Sequence, residues 1–493
     1  MISAQLPALQ VVIPLLAGPA CLLLQHPRLS WALATTASWI TFFIALALLD
    51  QVLSTGTITY ALGGWAAPWG IEYRVDEINA FVLLIISGIS AITLPFARSS
   101  IEHEINPERV YILYTGWMLC LTGLLGITIT GDAFNVFVFL EIASLSSYLL
   151  ISLNRDPRAL TAAFQYLVMG TIGATFILIG IALLYMMTGT LNMMDLSERI
   201  PAVAGTRTIK MAFTFLIVGI GLKAAVFPLH FWLPNAYAYA PSAVTALFAG
   251  TATKVAVYLL LRFFFTVFGV QFSFEVMELD RILLPLALAG IFVASTIAIF
   301  QTDVKRMLGY SSIAQIGYML LGVSLVSVPG LTAAILHLFN HALMKVALFS
   351  TLGCVFFRVG SVMRDDLAGI GRKMPWTMAA FVVGGLSLVG VPLTVGFISK
   401  WYLIVAALDQ QWWWLAVLVL ASSLLALVYI WQVVEVAYFK TAEDQSKNIK
   451  EAPATLLIPT WILIIANIYF GIDTSLTVGV AERAAKLLLG VVS

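Results

Sequence analysis

The segment HLFNHALMKVALFS, residues 337–350, places His337, His341 and Lys345 at intervals of four. On an α-helix that interval puts all three on one stripe, about 6 Å apart along the axis. The step is too long for direct hydrogen bonds and within reach of one bridging water. Four more ionisable residues stand in equally oily surroundings: Glu141 in FVFLEIASLSSYLL, Lys223 in GLKAAVFPLHFWLP, Lys254 in GTATKVAVYLL and Lys400 in GFISKWY. Histidine titrates near neutrality, and a neighbouring carboxylate tunes the proton affinity of lysine and histidine alike. The chemistry that suits this set is proton movement.

Other chemistries fit less well. A serine or cysteine hydrolase would need a nucleophile elbow, which is not present. A metal site would need carboxylates or thiols beside the histidines, and His337 and His341 have none in sequence, so no metal is expected. The three cysteines, Cys21, Cys120 and Cys354, are scattered through apolar runs and form no CxxC pair. No glycine-rich phosphate loop occurs. No cofactor is therefore expected, and the chain is not by itself a redox enzyme. An inert ion pair between Glu141 and Lys223 would also lock two helices, but an apolar pair would stabilise as well, so packing does not call for charge there.

These residues need a membrane to lie in. Hydrophobic residues make up 61% of 493 positions and charged residues 10%, and the mean hydropathy is +0.99. That composition describes an integral membrane protein with a lipid bilayer as solvent. A net charge of +1 argues against a nucleic-acid partner. A spanning helix needs about 20 apolar residues, and such runs occur at 6–25, 31–50, 77–97, 110–129, 133–153, 160–187, 208–229, 242–268, 282–300, 307–327, 331–357, 376–405, 412–438 and 454–473. The first is expected to be retained as a span, because it lacks a basic flank and a cleavage site. Residues 54–74 read as a hairpin, and 191–200 and 476–490 as short interfacial helices.

At about 1.5 Å per residue, Glu141, Lys223 and Lys254 lie roughly 13–23 Å into a core about 30 Å thick. A lone charge at that depth costs at least about 2.5–3.5 kcal/mol. The buried set must face itself or water inside the bundle. Two spans also read as broken: Pro228 follows Lys223, and Gly390, Pro392 and Gly396 precede Lys400. Proline removes a backbone donor and clashes with the preceding turn, so each helix should open there. If spans four to eight and nine to thirteen form repeat units, both breaks fall in the fourth span of a unit, where interrupted helices mark ion sites. Counting Lys and Arg outside the spans gives 14 on one side and 8 on the other, which places both termini outside the cytoplasm.

Together these motifs resemble the antiporter-like subunits of respiratory complex I, membrane-bound hydrogenases and Mrp-type multisubunit cation/proton antiporters. The likeness covers roughly 109–438, and its most specific block is FPLHFWLPNAY followed by a proline. The resemblance implies an all-α integral membrane fold of about 14 transmembrane helices, with two inverted five-helix repeats and a broken helix in each. It divides the chain into 1–108, with three helices and an extracytoplasmic hairpin; 109–268, the first repeat; 269–440, the second; and 441–493, a cytoplasmic loop, helix 14 and a tail. It also implies roles. Glu141 and Lys223 form a first ion pair, Lys254 leads into a hydrated axis through His337, His341 and Lys345, and Lys400 is the terminal site.

The chain stops soon after the fourteenth span, without the lateral helix of the largest complex I subunit or the added domains of the largest Mrp subunit. With lysine at 400, the branch it most resembles is the D-type subunit of the Mrp Na⁺/H⁺ antiporters. The expected function is that of a proton-translocating subunit exchanging protons for Na⁺ or another monovalent cation, in a prokaryotic cell (inner) membrane. Its expected partners are the other membrane subunits of an Mrp-like or complex I-like assembly. The alternatives are a pump module in a redox-driven complex, of hydrogenase or NADH:quinone oxidoreductase type, and a scaffold subunit with vestigial charges.

Overall fold

The structure, a computed structural model, describes residues 3–440 and 449–491. The loop expected around 441–448, with Lys447, lies outside the described residues. Helices α1 (Leu6–Leu24) and α2 (Pro27–Thr55) are followed by an antiparallel hairpin, β1 (Ile58–Ala61) and β2 (Glu72–Val75), and by α3 (Glu77–Ser100). Next come α4 (Val110–Ile129), α5 (Ala133–Ser152), α6 (Arg158–Thr188) and the short α7 (Met193–Val203). Helices α8 (Arg207–Lys223), α9 (Trp232–Tyr239), α10 (Ser242–Gly250) and α11 (Ala252–Leu261) follow. After them come α12 (Leu279–Ile299), α13 (Val304–Ser324), α14 (Val328–Val359), α15 (Ile370–Lys373), α16 (Pro375–Val389), α17 (Val395–Asp409) and α18 (Trp413–Phe439). Helices α19 (Ala454–Ile472) and α20 (Ser475–Leu489) end the described chain.

In a hydrocarbon core every backbone polar group must be satisfied within the segment, so apolar runs fold as helices. Among the described residues, eleven stretches are long and apolar enough to span. The other three runs expected to span fall short of that measure: α8 halts after 17 residues at Lys223, α13 is buried on nearly every face and carries Lys305 and Arg306, and the 376–405 run is split into α16 and α17. Starts are marked by side-chain caps. Asp76 accepts from Asn79 N at 3.3 Å while Asn79 Oδ1 accepts from Asp76 N at 2.6 Å, a capping box. Asp132, Asp303 and Ser327 cap α5, α13 and α14 in the same way.

Helix α14 runs unbroken for 32 residues, about 48 Å, and packs against α3, α10, α13, α16, α17, α19 and α20. It is the central post of the bundle. Loops on each face are stitched by isolated bridges: Tyr73–Thr130 and Asp132–Asn192 on one, Ile105–Asn154 and Asp303–Met363 on the other. The expected hairpin and both short helices are present, as β1–β2, α7 and α20. Two of the basic residues in the Lys and Arg count, one from each side, are buried. Arg262 is 6% exposed and Lys305 2%. The bias the count gives is therefore unchanged.

Arg262 and Lys305 have acquired partners that sequence could not show. Arg262 meets Asp76 through two hydrogen bonds of 2.7 Å, tying the last turn of the α10–α11 span to the start of α3. Lys305 donates to Ser242 Oγ at 2.9 Å and lies 3.8 Å from Glu104. Paired in this way, a buried charge is tolerated.

Candidate functional site

Lys223 is the last residue of α8, and the chain leaves the helix directly after it. The carbonyl of Leu222, which takes the Ala225 N–H at 3.1 Å beyond the helix end, also accepts the indole N–H of Trp232 at 3.0 Å, which gives the tryptophan of the FPLHFWLP block a role. The Lys223 ammonium donates to Ser144 Oγ at 2.6 Å and to the Tyr148 hydroxyl at 3.5 Å. The direct Glu141–Lys223 ion pair implied by the resemblance is not made. Ser144 and Tyr148, one and two turns beyond Glu141 on α5, occupy the ammonium, and Glu141 is only half-buried. A cavity of about 40 Å³, lined by Ser144, Ser147, Tyr166 and Lys223, extends to Ala252, Val255 and Ala256 of α11. That is room for about two or three waters.

Lys254 lies on α11, just beyond a break the sequence did not announce. Thr251, with φ −127° and ψ −63°, interrupts the span between α10 and α11. Lys254 folds back so that its ammonium donates to the Ala249 carbonyl released by that interruption. Apart from the neighbouring Thr253 hydroxyl at 3.4 Å, the carbonyl is its polar contact among the described residues.

On α14 the stripe is as expected. The rings of His337 and His341 stack with centroids 5.9 Å apart. His337 Nδ1 is 2.7 Å from Ser399 Oγ and its Nε2 is 2.9 Å from Gln315 Oε1. His341 is wholly buried, and neither ring nitrogen has a hydrogen-bond partner among the described residues. Lys345 donates to the Leu308 carbonyl and to Ser311 Oγ, each at 2.8 Å. Ser311 in turn meets the Tyr429 hydroxyl at 3.0 Å.

Lys400 reaches across the α16–α17 break. Its ammonium donates to the carbonyls of Leu388 (3.1 Å) and Val389 (2.9 Å) and to Ser423 Oγ (3.0 Å). It lies 5.0 Å from the Tyr318 ring centroid, a cation–π geometry. Carbonyls at a helix C-terminus carry the negative pole of the dipole, which favours a cation.

The seven residues singled out from sequence therefore fall into three groups: Glu141 and Lys223; Lys254 at the α10–α11 break; and the α14 stripe, joined to Lys400 through Ser399 and Tyr318. What sequence reading missed is the neutral half of the site. Ser144, Tyr148, Ser311, Gln315, Tyr318, Ser399 and Ser423 supply most of the side-chain partners. One signal was available. Lys305, Leu308, Ser311, Gln315 and Tyr318 recur at intervals of three and four on α13, too polar a stripe for a lipid-facing helix.

Residues 130–426 match the family described as NADH:quinone oxidoreductase/Mrp antiporter, transmembrane. The chain is 37% identical over 490 residues to NADH-quinone oxidoreductase subunit N of Desulforudis audaxviator, covering 95% of this chain and 96% of that protein. It is 30% identical over 464 residues to the D subunit of the Na⁺/H⁺ antiporter of Alkalihalophilus pseudofirmus, covering 94% and 93%. Its fold matches a chain of the membrane-bound sulfane sulfur reductase, an archaeal respiratory membrane complex, with a TM-score of 0.91, 30% identity and 98% of each chain covered.

Proposed function

The chain belongs to the NADH:quinone oxidoreductase/Mrp antiporter transmembrane family and is an antiporter-like membrane subunit, and from that premise we propose that it carries protons within a multisubunit Na⁺/H⁺ antiporter. The proton is handed between Lys223, tuned by Glu141, and Lys254, then along Lys345, His341 and His337 of the α14 stripe to Lys400. The observation that carries this reading is His341. A fully buried imidazole with no hydrogen bond from the described residues, between a stacked histidine and a lysine one turn on, makes sense where water and protons pass.

The polar contacts suit such a relay. Each of Lys223, Lys254 and Lys400 sits at a helix break, where backbone carbonyls or hydroxyls accept from the ammonium without a tight carboxylate partner. A lysine held that way is free to lose its proton. The subunit is proposed to lie in a prokaryotic cell membrane with both termini outside, which the Lys and Arg bias supports and which fusion reporters at each terminus test.

Everted vesicles carrying the intact complex test the function. Addition of NaCl should dissipate an imposed pH gradient with wild-type protein and not with His341→Ala at equal complex abundance. Equal dissipation by both would remove the stripe from the path. A second reading, a pump module of a redox-driven complex, is favoured by the higher identity to the oxidoreductase relative and by the sulfane sulfur reductase match. Co-purifying iron–sulfur subunits, with proton uptake that needs an electron donor, would establish it over Na⁺ exchange.

A further inference from the structure

Outside the proton-carrying core, one surface pocket has an excess of positive charge in its lining. Its volume is about 400 Å³, and it lies where the α1–α2 turn meets the α3–α4 connection. Arg28 and Arg98 face it, with Trp31 and Tyr114 behind them and Glu102 as the carboxylate of its lining. Trp31 is fixed by its indole N–H, which donates to the Leu94 carbonyl at 3.0 Å. The Arg98 guanidinium lies over that ring, 4.6 Å from its centroid. Neither Arg28 nor Arg98 has a carboxylate within 4.0 Å among the described residues.

We propose that this pocket binds the phosphodiester headgroup of an anionic phospholipid. Three features converge on that ligand. Arg28 sits in the first turn of α2, where the positive pole of the helix disfavours a cation and favours an anion. Arg98 is held over Trp31 with its donors free of any carboxylate, a fork suited to phosphate oxygens. Leu23 (83% exposed), Leu24 and Leu29 lie within five residues of Arg28 in sequence and are exposed apolar side chains of the kind that acyl chains cover. Basic pockets between spanning helices take anionic headgroups by this chemistry.

Charge separates the two sources of phosphate. Two arginines less one glutamate leave a lining of +1, which matches a phosphodiester monoanion. Inorganic phosphate is a mixture of monoanion and dianion at neutral pH, and its dianion would be undercompensated and would meet Glu102.

Photo-crosslinking of the purified complex decides it, using a photoreactive phosphatidylglycerol analogue and peptide mass spectrometry. Labelling is expected on the segments around 22–31 and 98–114, displaced by unlabelled phosphatidylglycerol and not by phosphatidylcholine. Arg28→Gln with Arg98→Gln should reduce it about tenfold or more, the scale of a lost charge-assisted contact, while Arg28→Lys with Arg98→Lys, which keeps the charge and loses the fork, should fall between that variant and wild type. The competition arm needs only wild-type complex, so it stands even where the glutamine variant fails to assemble. Labelling confined to other segments, equal displacement by phosphatidylcholine, or unchanged labelling of the glutamine variant would overturn the site. Displacement by millimolar inorganic phosphate would reassign it to free phosphate.

Discussion

The Nδ1 atom of His337 lies 2.7 Å from the hydroxyl of Ser399, the residue just before Lys400. This contact joins the unbroken post α14 to the far side of the α16–α17 break, and makes Ser399 the link between the histidine stripe and the terminal lysine. Ser399→Ala leaves His337 held by Gln315 alone. Transport in everted vesicles should fall roughly tenfold, about 1.4 kcal/mol in barrier, with assembly intact. Wild-type rates would show that the stripe and Lys400 communicate by another route.

Lys400 distinguishes a relay from an anchor. A guanidinium keeps its proton in proteins, so Lys400→Arg retains the charge and should still abolish exchange, as Lys400→Ala does. A membrane potential of 100 mV is worth about 2.3 kcal/mol per charge crossing it, enough to couple a modest shift of this ammonium to transport. Full exchange by the arginine variant would leave Lys400 a structural cation.

At the other end, the missing direct pair changes the expectation for Glu141. Because Ser144 and Tyr148 hold the Lys223 ammonium, Glu141→Ala should leave the complex assembled while transport falls about a hundredfold, the scale of a lost acid–base partner. Ser144→Ala should be milder. Normal exchange with Glu141→Ala, at equal abundance on a native gel, would take the carboxylate out of the path.

Gly170 is where space decides. A Cβ there would stand 1.9 Å from the Tyr148 hydroxyl and 3.2 Å from Lys223 Nζ. Gly170→Ala should therefore push Tyr148 aside, cost about 1–3 kcal/mol as overpacking does, and slow transport. Combining it with Tyr148→Phe, which removes the clashing oxygen, should restore thermal stability of the complex; no recovery would place the strain elsewhere.

Asp76 and Arg262 form the buried clamp between α3 and the α10–α11 span. Burial alone would raise the Asp76 carboxyl, but the Arg262 charge and hydrogen bonds outweigh it and hold the group below its usual value. Its stabilising contribution is thus full above the ordinary aspartate range and is lost as pH falls through the lower folded value. Asp76→Ala strands a buried guanidinium and should cost about 3–5 kcal/mol. Melting of the purified complex at neutral pH reads this directly, and an unchanged midpoint would contradict it.

Hydropathy and spacing were enough to locate eleven of the fourteen expected spans, the His337–His341–Lys345 stripe and the breaks after Lys223 and before Lys400, because each is written in local sequence. The break at Thr251 was not, since no proline marks it and a window of about twenty residues averages over one twisted residue. The burial of Arg262 was hidden for another reason. Its partner Asp76 lies 186 positions away, and only tertiary packing brings the two together. Ser144 escaped because a serine in an apolar run looks like packing until the lysine that needs it is known.

The acceptors nearest Lys400 are the main-chain carbonyls of Leu388 and Val389 together with Ser423 Oγ, and this shifts where the site is genetically vulnerable. Replacing the side chain at 388 or 389 leaves its carbonyl in place, so the chemistry at those two positions is insulated from point mutation. The information resides in whatever makes the helix stop. Gly390, at φ +94°, provides that stop, and a Cβ there would come 3.0 Å from Lys400 Cδ. A left-handed residue carrying a side chain is strained whatever its polarity. A silent-looking glycine, more than the atoms that touch the ammonium, is the heritable determinant of this cation site.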